Sequence, residues 1–374
     1  MANLLGIDLG TQSVKVLVYD SQAKQTLSVT SSPLNIDNRD DGSAEQNASW
    51  WLDALRDCLL QIPEPIRLSI EALSISGQQH GFVPIDTTGT VLTPVKLWCD
   101  TSTAAECEEI MQAFGGEQAC RDQVGNSIVP GYTASKILWL KKTQPEVYRR
   151  MATVLLPHDY LNFVLTGERV MEHGDASGTG LLDIRKRQWS SAMLRALDSE
   201  RDLRECLPRL MHSQKQIGQV QQKIADHFGL PVGIPVATGG GDNMMGAIGT
   251  GNIRDGVLTM SLGTSGTVYG YSSQPIIDPL GEISAFCSST DGWLPLFCTL
   301  NCTNATTLVQ GLLDTDLQAF ETSLKSTDIG AGGIITLPFY QGERTPDLPQ
   351  GTGSIFGLTP NNMNAANLLR ATVE

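Results

Sequence analysis

Two short segments of the chain place a glycine beside hydroxyl-bearing residues directly after an apolar run. Glycine lets the backbone approach a phosphate closely, and consecutive N–H groups and hydroxyls can bind the phosphate oxygens. One such turn alone is more often an ordinary hairpin, but its recurrence favours binding of a polyphosphate from two sides. The residues that we expect to contact phosphate are Gly10, Thr11, Gln12, Ser13, Gly263 and Thr264. Asp8 precedes the first turn, where its carboxylate can hold Mg²⁺ through water.

A glycine-rich segment, Gly239–Gly241, stands directly before Asp242 and Asn243. Because glycines have no side chain to pack, we expect the backbone there to pass close to another group. An Asp in this position can take the proton of a substrate hydroxyl during phosphoryl transfer. An Asp that caps the N-terminus of a helix explains the same pattern equally well. Asp242 therefore has two interpretations, a general base and a helix cap.

A polar loop bracketed by glycines contains Gln79 and His80, which offer donors and acceptors suited to a polyol. Loops at strand ends are where α/β folds bind ligands. Further along, Trp98 can stack on a sugar and Asp100 can accept its hydroxyls. A single His is more often structural, and a Trp at a strand end more often belongs to the core. These four residues are candidate sugar contacts.

Strands and helices must position these residues. The apolar runs Leu4–Asp8 and Val14–Tyr19 flank the first turn and predict a β-hairpin. Ala104–Phe114 is predicted as a helix, with capping-box spacing at its start and two glycines at its end. The strand-like run Ala72–Ser76 and the helix-like run Ala134–Lys141 illustrate an alternation that predicts an α/β architecture.

The repeated turn predicts a duplicated two-domain fold. We place the boundary after a glycine-rich stretch, which divides the chain into residues 1–248, with the sugar and catalytic residues, and residues 249–374, with nucleotide-binding residues. The last segment, residues 362–374, has helical spacing but no Gly or Pro stop. We therefore expect the second domain to be incomplete, through truncation or because the gene product is short.

Composition excludes several classes of protein. The chain has 26 Lys and Arg against 40 Asp and Glu, a net charge of −14, which disfavours sequence-independent nucleic-acid binding. No apolar run reaches the roughly 18 residues of a membrane span and no signal-peptide pattern is present, so we expect a cytoplasmic enzyme. The eight cysteines include no C-x-x-C pair and are expected to be reduced thiols. Histidines without metal-ligand spacing, for which we expect no chemical role, are His158, His173, His212 and His227.

Taken in order, the motifs resemble those of the FGGY carbohydrate kinases, and the resemblance covers the whole chain. No single motif is decisive, but their number and order are specific. The motifs are Ile7–Thr11, Gly77–Gly81, Trp98–Asp100, Gly239–Asn243 and Ser261–Ser265, with further agreement at Pro130–Lys136, Asp175–Gly178, Gly342–Pro346 and Gly353–Gly357.

The resemblance implies an actin-like ATPase fold, in which two ribonuclease-H-like α/β domains enclose a cleft, with sugar on the first and ATP against the second. It implies phosphorylation of a sugar by ATP and Mg²⁺, and it favours D-xylulose, which would become D-xylulose 5-phosphate. Asp242 would accept the hydroxyl proton, and Asp8 would organise the Mg²⁺. Gln79, His80 and Asn243 would contact the ketose.

Two alternatives stay open: a kinase for another polyol or ketose, such as ribulose, gluconate or glycerol, and a sugar-binding module on a truncated kinase fold. Ser102 stands where many relatives have Arg, which blurs the choice of sugar. The family's adenosine-binding motif has no match in this chain, so we expect it to recognise a sugar better than it phosphorylates one. Exposed strand edges in an incomplete domain favour a homodimer.

Overall fold

The structure is a computed structural model that describes residues 2–340, 342–346, 348 and 350–374. These residues form two compact units that alternate along the chain. Unit 1 comprises the described residues up to Val257, with Tyr271–Gly281 and Ala285–Pro295, and unit 2 comprises Leu258–Gly270, Glu282–Ser284 and the described residues from Leu296 onward. The division into domains of residues 1–248 and 249–374 stays a prediction.

Unit 1 combines strands and helices in alternation. Its strands are β1 (Asn3–Leu9), β2 (Ser13–Asp20), β3 (Gln25–Pro33), β4 (Asp37–Asn38), β5 (Ala44–Gln46), β6 (Ile70–Gly77), β7 (Val83–Ile85), β8 (Val95–Lys96), β9 (Thr153–Leu155), β10 (Val170–Glu172), β11 (Leu182–Asp183), β12 (Gln188–Trp189), β13 (Arg209–Met211), β14 (Gln216–Gln219), β15 (Pro235–Ala237) and β16 (Gly240–Gly241). Its helices are α1 (Ala48–Gln61), α2 (Glu64–Arg67), α3 (Ala104–Phe114), α4 (Glu117–Val124), α5 (Thr133–Thr143), α6 (Pro145–Arg150), α7 (Pro157–Thr166), α8 (His173–Ser177), α9 (Ser191–Leu197), α10 (Gln222–Phe228) and α11 (Asp242–Gly249).

A mixed sheet of seven strands organises unit 1, in the order β14-β15-β6-β1-β2-β3, with β16 also paired to β6. The antiparallel pairing of β1 with β2 confirms the predicted hairpin, and β3 continues it. β6 runs parallel to β1, and β15 and β16 run parallel to β6. Because these strands are parallel, their carboxyl ends lie at one edge of the sheet.

The hairpin strands alternate between a buried and an exposed face. In β1 the buried side chains are Leu5, Ile7 and Leu9, whereas Leu4 on the other face is exposed. Side chains in a strand point alternately to opposite faces, so one face of the sheet can be apolar and covered. Helix α1 packs against β2 and β3 on the covered face, where its Trp51 is fully buried. Each Leu or Ile buried in this way contributes roughly 1.5–3 kcal/mol.

Helix α3 has the predicted bounds, Ala104–Phe114, and ends at Gly115. The predicted capping box is wrong, because Thr103 makes no capping bond. Its hydroxyl instead pairs with Ser135 Oγ at 2.8 Å, which ties the start of α3 to α5. Local sequence signals therefore predicted the bounds of the helix correctly. They did not predict that the Thr103 side chain would bond to another helix instead of capping α3.

Unit 2 contains a hairpin, a further strand pair and helices. Its elements are β17 (Leu258–Leu262), β18 (Gly266–Gly270), α12 (Thr303–Leu312), α13 (Leu317–Ser326), β21 (Ile335–Leu337), β22 (Ser354–Phe356) and α14 (Ala365–Val373), while β19 (Ser284–Cys287) and β20 (Trp293–Thr299) contain residues of both units. α14 packs against α12, α13 and β21 and begins after the capping side chain of Asn364. This confirms the helix predicted for the last segment.

Among the described residues, no helix combines the length and apolarity needed to cross a membrane. All eight cysteines are free thiols. Burial raises the pKa of Cys107 and of Cys120 to about 11 each, because a buried thiolate is poorly solvated. These two thiols are therefore protonated and unreactive near neutral pH.

Candidate active site

Three segments that carry candidate residues leave the central sheet at the same edge. Leu9 at the end of β1 and Gly241 at the end of β16 each lie beside Gly77 at the end of β6. The β1–β2 turn, the loop after β6 and helix α11 therefore begin next to one another. Open α/β sheets bind ligands outside the carboxyl ends of their strands. This edge is the candidate active site.

The β1–β2 turn is closed by a hydrogen bond from the Gly10 N–H to the Ser13 carbonyl oxygen, 3.0 Å long. The indole N–H of Trp98 donates to Thr11 Oγ1 at 2.9 Å. Gln12, between them in the turn, is exposed. The structure thus brings Trp98, a candidate sugar contact, against the turn that we expect to bind phosphate.

Asp242 is the first residue of α11, where Gly241 occupies the cap position and no side chain makes a capping bond. The interpretation of Asp242 as a helix cap is therefore wrong. Asp8 is near enough to Asp242 for its charge to affect the second carboxylate, and Asp8 Oδ1 accepts a hydrogen bond from Ser76 Oγ at 3.1 Å. Two of the candidate carboxylates consequently share one small region.

The surrounding protein raises the pKa of Asp242 to about 7. Desolvation is the largest cause, the charges of Asp175 and Asp8 act in the same direction, and the hydrogen bond from the Asn243 N–H opposes them. The Asp242 side chain is nevertheless accessible to solvent. Solvent access limits the desolvation, so the upward direction of the shift is the property that matters chemically. A substrate hydroxyl can reach a carboxylate that binds a proton more readily than usual.

Gln79 and Asn243 are joined directly. The Asn243 amide donates to Gln79 Oε1 at 2.8 Å and to Asp242 Oδ1 at 3.2 Å. The Gln79 amide nitrogen lies 3.2 Å from the sulfur of Met244, also on α11. Gln79 is buried and Asn243 half-buried. The loop after β6 and the start of α11 therefore form one hydrogen-bonded unit that ends on Asp242.

His80 has a backbone conformation that side chains rarely adopt, with φ of +63°. Its carbonyl oxygen accepts hydrogen bonds from Thr133 Oγ1 at 3.1 Å and from Lys136 Nζ at 3.3 Å. Desolvation lowers the pKa of Lys136 to about 7, against the nearby charge of Asp100. The first turns of α5 thus hold the backbone of a candidate sugar contact.

Asp100 is fully buried, and both of its oxygens already accept hydrogen bonds. Oδ2 accepts from Lys96 Nζ at 2.9 Å and from the Ala44 N–H at 3.0 Å, while Oδ1 accepts from Ser102 Oγ at 2.6 Å. This geometry favours a role in holding the segment that carries Trp98. Direct contact between Asp100 and a sugar stays a prediction that the structure does not favour.

The second phosphate turn lies in unit 2, between the antiparallel strands β17 and β18. The Gly263 N–H donates to the Ser265 carbonyl oxygen at 3.1 Å, much as Gly10 does in the first turn. Gly263 and Thr264 are exposed. The Thr303 hydroxyl and N–H donate to the Gly263 carbonyl oxygen, which fixes the turn to the start of α12. Both turns connect antiparallel strands, as predicted, although the first turn is Gly10–Ser13 and the second is the shorter Gly263–Ser265. Their contact with phosphate stays a prediction.

Sequence reasoning missed a charged cluster beside His80, formed by His158, Asp159 and Asp175. His158 was expected to have no chemical role because it lacks metal-ligand spacing, and Asp175 entered only as part of a family motif. The usable signal was the adjacent pair His158 and Asp159, which the structure places in the first turn of α7. No local pattern shows that a residue 17 positions later completes the cluster.

Comparison with known proteins identifies relatives. Residues 3–249 match the model of the FGGY family of carbohydrate kinases, N-terminal domain. The xylulose kinase of Haemophilus influenzae is 41% identical over 99% of this chain and 76% of that protein. The xylulose kinase of Escherichia coli is 33% identical over 99% of this chain and 75% of that protein.

Solved structures of sugar kinases share the fold. The xylulose kinase of Bifidobacterium adolescentis is 28% identical, with a TM-score of 0.85 over 99% of this chain and 79% of that one. The gluconate kinase of Lactobacillus acidophilus reaches a TM-score of 0.91 over 99% of this chain and 75% of that one, at 24% identity, a likeness of fold alone. These matches confirm the expected α/β fold of the actin-like ATPases, and the second match shows that this fold serves more than one sugar.

Proposed function

The chain belongs to the FGGY family of carbohydrate kinases, and we propose that it transfers the γ-phosphoryl group of ATP to D-xylulose. Relatives that carry the name xylulose kinase match almost the whole chain, at up to 41% identity among those described above. Asp242 is the single observation that carries the mechanism. It is an accessible carboxylate with a raised pKa, at the sheet edge where the candidate sugar residues meet.

In this reaction the O5 hydroxyl of xylulose attacks the γ-phosphorus. The bond from O5 to phosphorus forms as the bond from phosphorus to the bridging oxygen breaks, and ADP leaves with that electron pair. Asp242 accepts the proton of O5, which makes the oxygen a better nucleophile and avoids a positive charge on the product. A raised pKa suits this role, because a carboxylate with its ordinary pKa is a weaker base.

Gln79, His80, Asn243 and Trp98 are the proposed sugar contacts. A polyol binds through several hydrogen bonds at once, and the amides and imidazole supply both donors and acceptors. The bond between Asn243 and Gln79 holds two of them in a fixed relation to Asp242. Such positioning favours reaction because the hydroxyl and its base are already aligned.

Mg²⁺ fits the donor set near Asp242. This ion usually takes one or two carboxylates, with water and substrate phosphates as its other ligands, so it needs no cage of protein ligands. Asp8 and Asp242 provide two carboxylates whose mutual repulsion a cation relieves. When bound, Mg²⁺ neutralises charge on the phosphate oxygens. Asp8 would hold it through water, while Gly10 and Thr11 of the first turn, with their counterparts Gly263 and Thr264, would bind phosphate oxygens.

The proposal is tested by measuring ADP release with Mg-ATP and a panel of D-xylulose, D-ribulose, D-gluconate and glycerol. We expect D-xylulose to give the largest kcat/KM. Asp242→Asn keeps the shape of the side chain and removes the base, so kcat should fall by about 10²–10⁴-fold. Asp226→Asn is the matched control, since Asp226 is an exposed Asp on α10 outside the site.

Two outcomes contradict the proposal. Turnover of another substrate with a higher kcat/KM would make D-xylulose the wrong sugar. Unchanged kcat in Asp242→Asn, with the fold intact by circular dichroism, would make Asp242 the wrong base.

A further inference from the structure

A chain of four ionisable residues runs from the interior of unit 1 to His80. His158 Nε2 lies 3.0 Å from Asp159 Oδ1, and His158 Nδ1 lies 3.0 Å from Asp175 Oδ2. The other oxygen of Asp175, Oδ1, accepts a hydrogen bond from the His80 backbone N–H at 3.4 Å and lies 3.6 Å from His80 Nδ1, which is an ion-pair distance and not a hydrogen bond. His158, Asp159 and Asp175 are completely inaccessible to solvent. Asp175 therefore stands between a fully buried His and a His that we place at the sugar.

The two Asp side chains beside His158 keep its imidazole protonated. Burial alone would lower the pKa of His158, but Asp159 and Asp175 outweigh it and raise this pKa well above its ordinary value. His158 is thus an imidazolium that lies between the side chains of Asp159 and Asp175. Its hydrogen bond to Asp175 leaves the second oxygen of that carboxylate facing His80.

The cluster is also packed tightly against the loop after β6. A β-carbon added at Gly77 would lie 2.9 Å from the β-carbon of His158, so the loop rests directly on the first turn of α7. A β-carbon at Gly178 would lie only 1.7 Å from Cε1 of the His80 ring. The ring of His80 therefore occupies the space over Gly178, which only a residue without a side chain leaves open.

A structural role alone is a weak explanation for such a cluster. Removing three charged groups from water costs several kcal/mol per ion before their attraction is counted, and apolar residues of similar volume often stabilise a core equally well. The cluster ends on a ring nitrogen of a candidate ligand-binding residue. A negative carboxylate near one nitrogen of an imidazole favours the tautomer that carries the proton on that nitrogen.

We propose that Asp175, supported by His158, is a positioning residue that keeps the proton of His80 on Nδ1 and directs Nε2 as an acceptor toward a hydroxyl of the bound sugar. This inference rests on the proposed function, because it takes His80 as a sugar contact. The inference goes beyond the proposed function because it assigns a role to Asp175 and His158, which are not proposed substrate contacts. The backbone bonds from Thr133 and Lys136 fix where His80 lies, and Asp175 fixes its tautomer.

The tautomer is measured directly by two-bond ¹H–¹⁵N correlation spectra of the full chain with ¹⁵N-labelled histidine. Loss of one set of signals in His80→Gln assigns His80. We expect the wild-type protein to carry the proton on Nδ1 and Asp175→Asn to shift His80 toward the other tautomer. Calorimetry with D-xylulose should show about a tenfold or larger increase in Kd for Asp175→Asn.

Asp175→Asn should fold, because it leaves the imidazolium of His158 paired with Asp159. Gly178→Ala is a second variant, which displaces the His80 ring while Asp175 stays intact, and it should also weaken xylulose binding. Asp198→Asn is the matched control: Asp198 is likewise a buried carboxylate, paired with Tyr148 and Lys141. We expect it to lower thermal stability without changing the His80 signals or the Kd.

The inference is overturned if wild-type His80 carries its proton on Nε2, or if Asp175→Asn changes neither tautomer nor Kd. An equal loss of affinity in Asp198→Asn would also overturn it, since the effect would then be general destabilisation. If Asp175→Asn does not fold, the inference is tested by the tautomer of wild-type His80 and by the Kd of Gly178→Ala for D-xylulose. Failure of the proposed function has a different signature, because no sugar of the panel would bind while the tautomer could still be measured.

Discussion

Asp242 is accessible to solvent and yet binds a proton more readily than an ordinary Asp. The accessible side makes room for a substrate, while the protein on its other sides removes water and places the carboxylates of Asp8 and Asp175 nearby. These features have opposite consequences for catalysis and for stability. Asp242 must be ionised to accept a proton, but its negative charge lowers the stability of the folded protein.

The pH dependence of the reaction should therefore report Asp242. Only the ionised carboxylate accepts a proton, so we expect kcat/KM for D-xylulose to decrease on the acid side, by about tenfold per pH unit at its lower end. The midpoint should lie above the ordinary Asp pKa of 3.8 and below about 7, because bound Mg²⁺ offsets the charge of Asp8. The measurement is kcat/KM between pH 5 and 9 at saturating Mg-ATP. A rate independent of pH down to 5 would exclude Asp242 as a base with a raised pKa.

Asp242→Asn should also change how stability depends on pH. The folded state keeps the Asp242 proton between its ordinary pKa of 3.8 and about 7, whereas the unfolded state loses it. This group therefore stabilises the fold less as pH rises through that range. We expect Asp242→Asn to melt at a higher temperature than wild type at pH 8, with a smaller difference at pH 5, by scanning calorimetry. An equal difference at both pH values would instead indicate a change in packing.

At the scale of elements, helix α5 connects the interior of unit 1 to the candidate site. Its first turns supply two donors to the carbonyl oxygen of His80, one from Thr133 and one from Lys136. Lys136 is completely inaccessible to solvent, and it also donates to the Gly131 carbonyl oxygen at 2.7 Å. Burying a Lys whose Nζ donates to two carbonyl oxygens is costly unless it holds a particular backbone conformation.

Lys136→Met should weaken D-xylulose binding severalfold. Met has a similar length but no donor, so the carbonyl oxygen of His80, a residue with an unusual φ, loses one of the hydrogen bonds that hold it. Lys141→Met is the control on the same helix, because Lys141 pairs with Asp198 away from His80. Calorimetry measures the Kd of both variants. Equal affinity of Lys136→Met and wild type would show that Thr133 alone fixes the loop.

Helices and strands were predicted correctly where the sequence signals lie within the element or next to it. The hairpin β1–β2 and helix α3 follow from alternation, helical spacing and glycines that lie within or beside the elements themselves. The contacts of individual side chains were harder to predict, because they depend on burial and on residues far away in the sequence. Asp100 was predicted to contact the sugar. Its carboxylate, however, already pairs with Lys96, four residues earlier, and accepts a hydrogen bond from the Ala44 N–H. The neighbouring His158 and Asp159 are visible in the sequence, but Asp175 meets His158 only after α7 and α8 have packed.

At the scale of the whole molecule, unit 2 exposes an apolar strand. Leu258, Met260 and Leu262 of β17 are 72%, 63% and 65% exposed. Within the part of the chain that the structure describes, β17 pairs with β18 alone, at the edge of its sheet. Exposed apolar edge strands favour pairing with another chain. A second copy of the chain offers the same strand, which supports the predicted homodimer.

We therefore expect concentration-dependent self-association, measured by sedimentation velocity. Met260→Lys places a charge in the middle of the exposed face of β17 and should shift the chain toward monomer. Lys325→Glu on α13 is a charge-changing control in the same unit, at an exposed position away from β17. A monomeric wild-type chain at all concentrations, or association unaffected by Met260→Lys, would contradict this role of β17.

The pairing of β16 with β6 also bears on when the site forms during folding. Only two residues, Gly240 and Gly241, join β16 to β6, and they are far in sequence from the β1–β2 hairpin that forms locally. Pairing over such a separation has a loop-closure entropy cost and so tends to come late in folding. On a ribosome, the hairpin and β6 emerge long before Asp242 does. A nascent chain therefore lacks the proposed sugar contact Asn243 until α11 begins to emerge. We expect sugar binding to slow amide exchange in β16 and α11 more than in β1.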